Sequence, residues 1–311
     1  MYIVFLTIGV VLLYYGADFL VRGSSTIAVS AGVKKIVVGL TLVALGTSMP
    51  EFVVSLFAAI KKVDDVSIGN IVGSNLANIL LVLGIASMIH PIKAKRRIFI
   101  LDLPVLIVIT GVFVFFCMNG KLSAIEGGIL LILFVAYMWF IIANRKVRAE
   151  RRVDIEKIES GHLVKNIFMT IGGGLALIAG GDSTIRGAIG LARALHVPEL
   201  IIGLTVIALG TSLPELFTSV IAVIKKEDEI SIGNIIGSNL FNTAFVLGII
   251  PMIYQLKVDI KIINFENIFL LGITLLLSVF LLIGRKLSRF EGGFLLLLYI
   301  LFILNLVFNF I

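Results

Sequence analysis

Cysteine, histidine and charge are all scarce in this chain. Cys117 is the one cysteine in 311 residues, so an internal disulfide is excluded and the redox compartment is left undetermined. The three histidines, His90, His162 and His196, fall near the ends of apolar runs or between them and read as interfacial rather than metal-binding. Only 14% of the residues are charged, against 59% hydrophobic, which is too little polar surface for a soluble domain of this length. No phosphate-binding loop is present, so ATP hydrolysis within this chain does not drive its work. No nucleophile–base pair or cofactor motif is visible. An enzyme is therefore the weakest reading, and no cofactor is expected.

What is present is a series of apolar runs long enough to cross a hydrocarbon core of roughly 30 Å. Ten are read: 3–21, 36–60, 66–89, 98–118, 124–143, 163–179, 200–224, 230–254, 265–283 and 290–311. The first has no basic segment before it, and Tyr14, Tyr15 and Asp18 occupy the place of a small-residue cleavage site. It reads as a span, not a removed leader. The expected partners are the lipid bilayer and small ions, with a monomer as the functional unit. The net charge of +7 does not point to nucleic acid, because about 19 of the 26 basic residues fall in loops on one side. That bias predicts a multi-pass protein of the cell membrane with both termini extracellular.

The chain repeats itself. Residues 37–84 align with 201–248 without a gap, and about 29 of 48 positions are identical. Glu126-Gly127-Gly128 matches Glu291-Gly292-Gly293 at a shift one residue longer. Each copy holds five expected spans, an odd number, so the second copy enters the membrane from the opposite side. The predicted architecture is an all-α membrane protein of ten transmembrane helices built as two inverted five-helix repeats. The first repeat is 1–144 and the second 164–311, joined by a charged cytoplasmic linker at 145–163 too short for a regulatory domain. Such symmetry places equivalent residues around one site at mid-depth.

Glu51 and Glu215 lie halfway along the second and seventh spans, where a carboxylate costs several kcal/mol unless it faces a cavity or an ion. Pro50 and Pro214 precede them, and Gly46-Thr47-Ser48 and Gly210-Thr211-Ser212 come just before. Proline removes a backbone donor, so the helices are expected to break there. Freed carbonyls of Ala44 and Ala208 become candidate cation ligands, tolerated at this depth where they line a cavity. Thr47 and Ser48, like Thr211 and Ser212, share a face with their glutamate if helical geometry persists. Asn70, Ser74 and Asn78 step by four, as do Asn234, Ser238 and Asn242, giving each helix a polar stripe. Asn78 and Asn242, deepest in their spans, read as ligands. Asn70, Asn75, Asn234 and Asn239 fit either a ligand role or interhelical hydrogen bonding. Asp18 and Asp182 read as end-of-span caps or gate residues. Carboxylates, amides, hydroxyls and carbonyls form an all-oxygen set suited to hard cations such as calcium and sodium. An empty site with two negative charges is costly to close, which favours exchange over one-way carriage.

The doubled Gly-Thr-Ser-x-Pro-Glu string, followed by Ser-Ile-Gly-Asn-Ile-x-Gly-Ser-Asn and then Asn78 or Asn242, resembles the paired repeats of the cation/calcium exchanger superfamily. It is most similar to the prokaryotic sodium/calcium exchanger branch, over nearly the whole chain. The resemblance implies a sodium/calcium antiporter working by alternating access. It implies about three sodium ions per calcium, hence electrogenic exchange. Ligand roles are implied for Ala44, Thr47, Ser48, Glu51, Ser74 and Asn78, and for Ala208, Thr211, Ser212, Glu215, Ser238 and Asn242. It further implies that the first span of each repeat slides over a rigid core. Potassium-dependent relatives carry Asp where this chain has Asn242, which argues against potassium. The alternatives are a proton- or potassium-coupled exchanger on the same scaffold and, less in keeping with the doubled carboxylate, a passive cation channel.

Overall fold

The computed structural model describes residues 2–144, 160–195, 208–258 and 260–310. In chain order the helices are α1 (Tyr2–Ser30), α2 (Lys35–Thr47), α3 (Met49–Ile60), α4 (Asp64–Ile89), α5 (Ile98–Cys117), α6 (Ala124–Ala143) and α7 (Ser160–Ala194). They continue as α8 (Ala208–Thr211), α9 (Leu213–Ile224), α10 (Asp228–Ile253), α11 (Ile260–Gly284) and α12 (Arg289–Phe310). Among the described residues, eight helices are long and apolar enough to cross a membrane, and the bent pair α2–α3 makes a ninth. Of the expected seventh span, residues 200–207 lie outside the described residues, and α8 and α9 are the remainder. Residues 145–159 of the expected linker also lie outside them, and α7 already begins at Ser160.

Two helices run well past their expected ends. From sequence, the first span is expected to stop at 21 and the sixth at 179, with Asp18 and Asp182 as end-of-span caps or gate residues. Instead α1 has 29 residues and α7 has 35, and these charges lie within them. Each aspartate meets the arginine one turn on, Asp18 to Arg22 at 2.9 Å and Asp182 to Arg186 at 2.7 Å. Pairing at this spacing offsets charge without ending a helix. At about 1.5 Å per residue, α1 reaches about 44 Å, so it crosses the core aslant or projects beyond it.

The pair α1 and α7 cross through glycine. Gly9, Gly16 and Gly23 recur every seven residues, and so do Gly173, Gly180 and Gly187. A Cβ added at Gly16 would stand 2.9 Å from the Gly173 carbonyl oxygen, and one at Gly173 would stand 2.6 Å from the Leu20 amide. The two backbones touch directly, as small residues allow in membranes. Leu13, Ala17, Leu20, Val21 and Leu177 form part of a small apolar cluster, separate from the large one that holds α4, α5, α10 and α11 together.

Two ribbons of two residues each were not anticipated by an all-helical reading. The strands are β1 (Ile92–Lys93), β2 (Lys121–Leu122), β3 (Leu256–Lys257) and β4 (Lys286–Leu287). Antiparallel pairing joins β1 to β4, with Ile92 opposite Leu287, and β2 to β3, with Leu122 opposite Leu256. Each ribbon therefore ties one sequence copy to the other, and exchanging the copies turns one ribbon into the other. The anchors behave likewise: Lys93 N donates to Asp228 Oδ2 at 3.2 Å, and Lys257 N to Asp64 Oδ2 at 3.1 Å.

One ionic cluster breaks this reciprocity. Glu227 Oε1 accepts from Ser25 Oγ at 2.8 Å and from Lys35 Nζ at 2.7 Å, and Lys225 Nζ lies 2.5 Å from Asp18 Oδ1. The cluster fastens α1 to the turn between α9 and α10 beside a cavity of about 360 Å³. In the other copy Val63 stands at the place of Glu227 and Ile189 at that of Ser25, so the contacts of Glu227 have no counterpart. Glu227→Gln removes a partly exposed ion pair worth about 1 kcal/mol, which is about fivefold in an opening equilibrium. A Thr26→Cys reporter, on a background whose native Cys117 is buried, should then label about fivefold faster with a maleimide. An unchanged rate would show that the cluster does not hold α1 down.

Candidate functional site

The site is assembled where the two proline-broken helices meet the two polar-striped ones. Between α2 and α3 the chain bends by 47° at Ser48, whose φ and ψ are −88° and 7°. Ser212, between α8 and α9, has −86° and 3°. Pro50 and Pro214 occupy the first turns of α3 and α9, where a missing N–H costs nothing. Each glutamate thus opens a new helix directly after a break. Both are fully buried.

Each carboxylate is surrounded by oxygen groups drawn from both copies. Glu215 Oε1 accepts from Ser48 Oγ at 2.8 Å and from Ser238 Oγ at 3.3 Å. Thr47 Oγ1 stands beside them, 3.0 Å from Asn234 Oδ1 and 3.4 Å from Ser238 Oγ. Around Glu51 the equivalent hydroxyls are Ser74 and Thr211, 3.5 Å from one another. The hydroxyls of one Gly-Thr-Ser string therefore serve the glutamate of the other.

The arrangement leaves a set of buried oxygens without a hydrogen-bond partner. They are Glu51 Oε1 and Oε2, Glu215 Oε2, Asn78 Oδ1, Asn242 Oδ1 and Ser212 Oγ. Unpaired buried oxygens cost free energy, and they occur together where something outside the chain completes them. Acceptors alone are what a hard cation requires. Among the described residues no cluster of three or more His, Cys, Asp or Glu side chains could hold a metal ion. The acceptors gathered at this locus are two carboxylates together with neutral oxygens.

The sequence-expected residues fall into three groups. Glu51, Glu215, Thr47, Ser48, Thr211, Ser212, Ser74, Ser238, Asn78 and Asn242 are all buried and share this locus. Ala44 differs from expectation. Its carbonyl is not free, because it accepts from Ser48 N at 3.0 Å and from Thr47 Oγ1 at 3.2 Å. The proline at 50 withholds its donor from the carbonyl four residues back, at Gly46, not from Ala44. Ala208 is the first residue of α8. The third group, Asn70, Asn75, Asn234 and Asn239, makes hydrogen bonds between helices. Asn70 Nδ2 donates to the Glu51 carbonyl at 3.2 Å and to Ser55 Oγ at 2.9 Å, and Asn234 Nδ2 donates to Ser219 Oγ at 3.1 Å.

Two features had no sequence signal. Wide π turns run over Asn78–Val82 and Phe241–Val246. Such turns insert one extra residue and recur at functional sites. Here they begin at or beside the two deepest asparagines. Thr243 also enters the site's hydrogen bonding, and its place in the other copy is held by Ile79.

Comparison with known proteins places this geometry. The sodium/calcium exchanger protein family matches residues 1–143 and 165–308. The sodium/calcium exchanger MaX1 of Methanosarcina acetivorans is 32% identical over 343 aligned positions, covering 97% of this chain and 97% of its own. The inner membrane protein YrbG of Escherichia coli is 34% identical, covering 82% of this chain and 80% of its own. A solved structure of the sodium-calcium exchanger NCX_Mj, soaked with sodium and calcium ions, superposes with a TM-score of 0.85. It is 31% identical and covers 96% of both chains.

Proposed function

This chain belongs to the sodium/calcium exchanger protein family, and on that premise we propose that it exchanges sodium for calcium across a cell membrane by alternating access. The observation that carries the reading is the set of unpartnered buried oxygens on Glu51, Glu215, Ser212, Asn78 and Asn242. The proposed ligands add Thr47, Ser48 and Ser74 and their equivalents Thr211 and Ser238, with Ala208 from the second copy; the Ala44 carbonyl joins them only by giving up its hydrogen bond from Thr47 Oγ1. Calcium occupies the space between the two carboxylates, whose charges it neutralises. Sodium ions replace it in the same oxygens, so both loads compete for one site.

The transport cycle follows from the architecture. Ten spans form two inverted repeats, 1–144 and 164–311, with 145–163 as a cytoplasmic linker and both termini extracellular. The reciprocal ribbons and reciprocal aspartate anchors support that symmetry. An inverted pair can open to either side by one and the same motion run in opposite senses. The mobile part is the pair α1 and α7, which meet through glycine and belong to a separate apolar cluster. With about three sodium ions against one calcium ion, each cycle carries one net charge through the membrane potential. One chain holds the complete site and functions as a monomer. The amide at Asn242 gives the site no third carboxylate, which favours sodium alone over potassium co-transport.

Isotope flux in proteoliposomes tests the reading. An outward sodium gradient should drive calcium uptake that accelerates when the interior is made positive, because about three sodium ions leaving against one calcium ion entering moves one positive charge out. A proton or potassium gradient of the same size should not replace it. Calcium uptake indifferent to sodium would sink the proposal.

A further inference from the structure

We propose that Asn239 and Asn75 are positioning residues that fix which end of the Asn78 and Asn242 carboxamides faces the transported cation. The inference rests on the exchanger reading and assigns a task to two residues whose carboxamides are engaged at both ends by other protein groups. A carboxamide has two ends of nearly equal size, one an acceptor oxygen and the other a donor NH2. Packing does not choose between them. A cation is held by the first and repelled by the second, so a liganding asparagine needs something to set its polarity.

The hydrogen bonds set it in a chain that starts from the backbone. Asn239 Nδ2 lies 3.2 Å from the Asn75 carbonyl oxygen. A backbone carbonyl only accepts, so the NH2 end of Asn239 must face it, and the Oδ1 end is turned the other way. That Oδ1 lies 3.0 Å from Asn78 Nδ2 and accepts from it. With its NH2 end thus engaged, Asn78 presents Oδ1, buried and unpaired, to the site. The second copy uses the exchanged residues. Asn242 Nδ2 donates to Asn75 Oδ1 at 3.2 Å, and Asn75 Nδ2 donates to Thr243 Oγ1 at 2.7 Å, leaving Asn242 Oδ1 buried and unpaired. The lock on Asn78 is the firmer one, because a carbonyl admits one polarity whereas the Thr243 hydroxyl can donate or accept.

A double-substitution cycle between positions 239 and 78 tests this. Calcium affinity is measured by titration calorimetry in sodium-free detergent solution, with thermal unfolding measured alongside, for the unmodified chain, Asn239→Leu, Asn78→Asp and the pair. Asn239→Leu should weaken calcium binding about tenfold, the scale of one hydrogen bond at a charged site. On the Asn78→Asp background the same change should cost less than about twofold, because a carboxylate shows an oxygen whichever way it turns. An equal loss on both backgrounds would mean that residue 239 acts through packing, and would overturn the inference. So would no loss on the asparagine background. Should the leucine variant fail to fold, Asn239→Ser runs through the same cycle with the same expectations. Absence of calcium binding by the unmodified chain is a different result, and overturns the exchanger reading itself.

Discussion

Glu215→Gln should abolish sodium-driven calcium flux while leaving the chain folded, and Glu51→Gln should do the same. Glutamine keeps the shape of glutamate, and its carbonyl oxygen can still accept from Ser48, which donates to Glu215 at 2.8 Å. The breaks at Ser48 and Ser212 and the helices that follow are untouched. What is lost is one of two negative charges in a fully buried locus. At 4 Å and an effective dielectric of about 20, a pair of unit charges interacts by about 4 kcal/mol, and a divalent ion feels twice that of a monovalent one. Calcium affinity should therefore fall by at least about 10³, and sodium affinity by a smaller factor. Flux in proteoliposomes and calcium titration read the loss, and thermal unfolding checks the fold. Calcium exchange retained by either variant would refute a single site shared by both carboxylates. The two variants need not be equal. Glu215 Oε1 is already oriented by Ser48 and Ser238, whereas Glu51 has the Ser74 and Thr211 hydroxyls beside it but no hydrogen bond of ordinary geometry to either oxygen. Charge removal at Glu51 takes away the side chain with more free acceptors.

The site was legible to the extent that its chemistry is local. Pro50 and Pro214 suit the first turn of a new helix, and the Gly-Thr-Ser before each loosens the turn ahead of it, so the bend at Ser48 and the matching torsions at Ser212 are in keeping with the string itself. The two glutamates declare themselves because carboxylates at mid-span need a reason to be there. The stripe of Asn70, Ser74 and Asn78 is a consequence of helical period alone. Asn75 and Asn239 lie off that stripe, and their partners are in the other copy, about 160 positions away. No spacing within one helix reveals such a contact. The π turns leave no trace in composition either, since one extra residue per turn changes nothing but backbone hydrogen bonding. Span limits failed at α1 and α7 for a related reason. Charges at Asp18, Arg22, Asp182 and Arg186 look like the ends of apolar runs, but pairing one turn apart lets the helix continue through them.

Of two neighbouring glycines on α7, one should tolerate a substitution that the other does not. Gly173 faces α1, where an added Cβ would lie 2.6 Å from the Leu20 amide nitrogen and 2.7 Å from the Gly16 carbonyl oxygen. Those atoms belong to the backbone of a helix and cannot turn aside as a side chain can. Gly172, one position earlier, is exposed, with nothing within 4 Å of its added Cβ. Gly173→Leu must push the two helices apart, at a cost of about 1–3 kcal/mol or more for overpacking, with loss of the close contacts that hold helices together in lipid. Gly172→Leu adds an apolar side chain facing outward and should leave stability and flux near those of the unmodified chain. Thermal unfolding in detergent and calcium flux in proteoliposomes distinguish the two. The comparison also tests the proposed sliding of α1 and α7. If their glycine surfaces serve movement as well as packing, Gly173→Ala, which intrudes far less than leucine, should slow exchange several-fold while calcium affinity at the two carboxylates stays constant. An unchanged turnover in Gly173→Ala, with Gly173→Leu merely unstable, would confine these glycines to packing and leave the motion to other contacts.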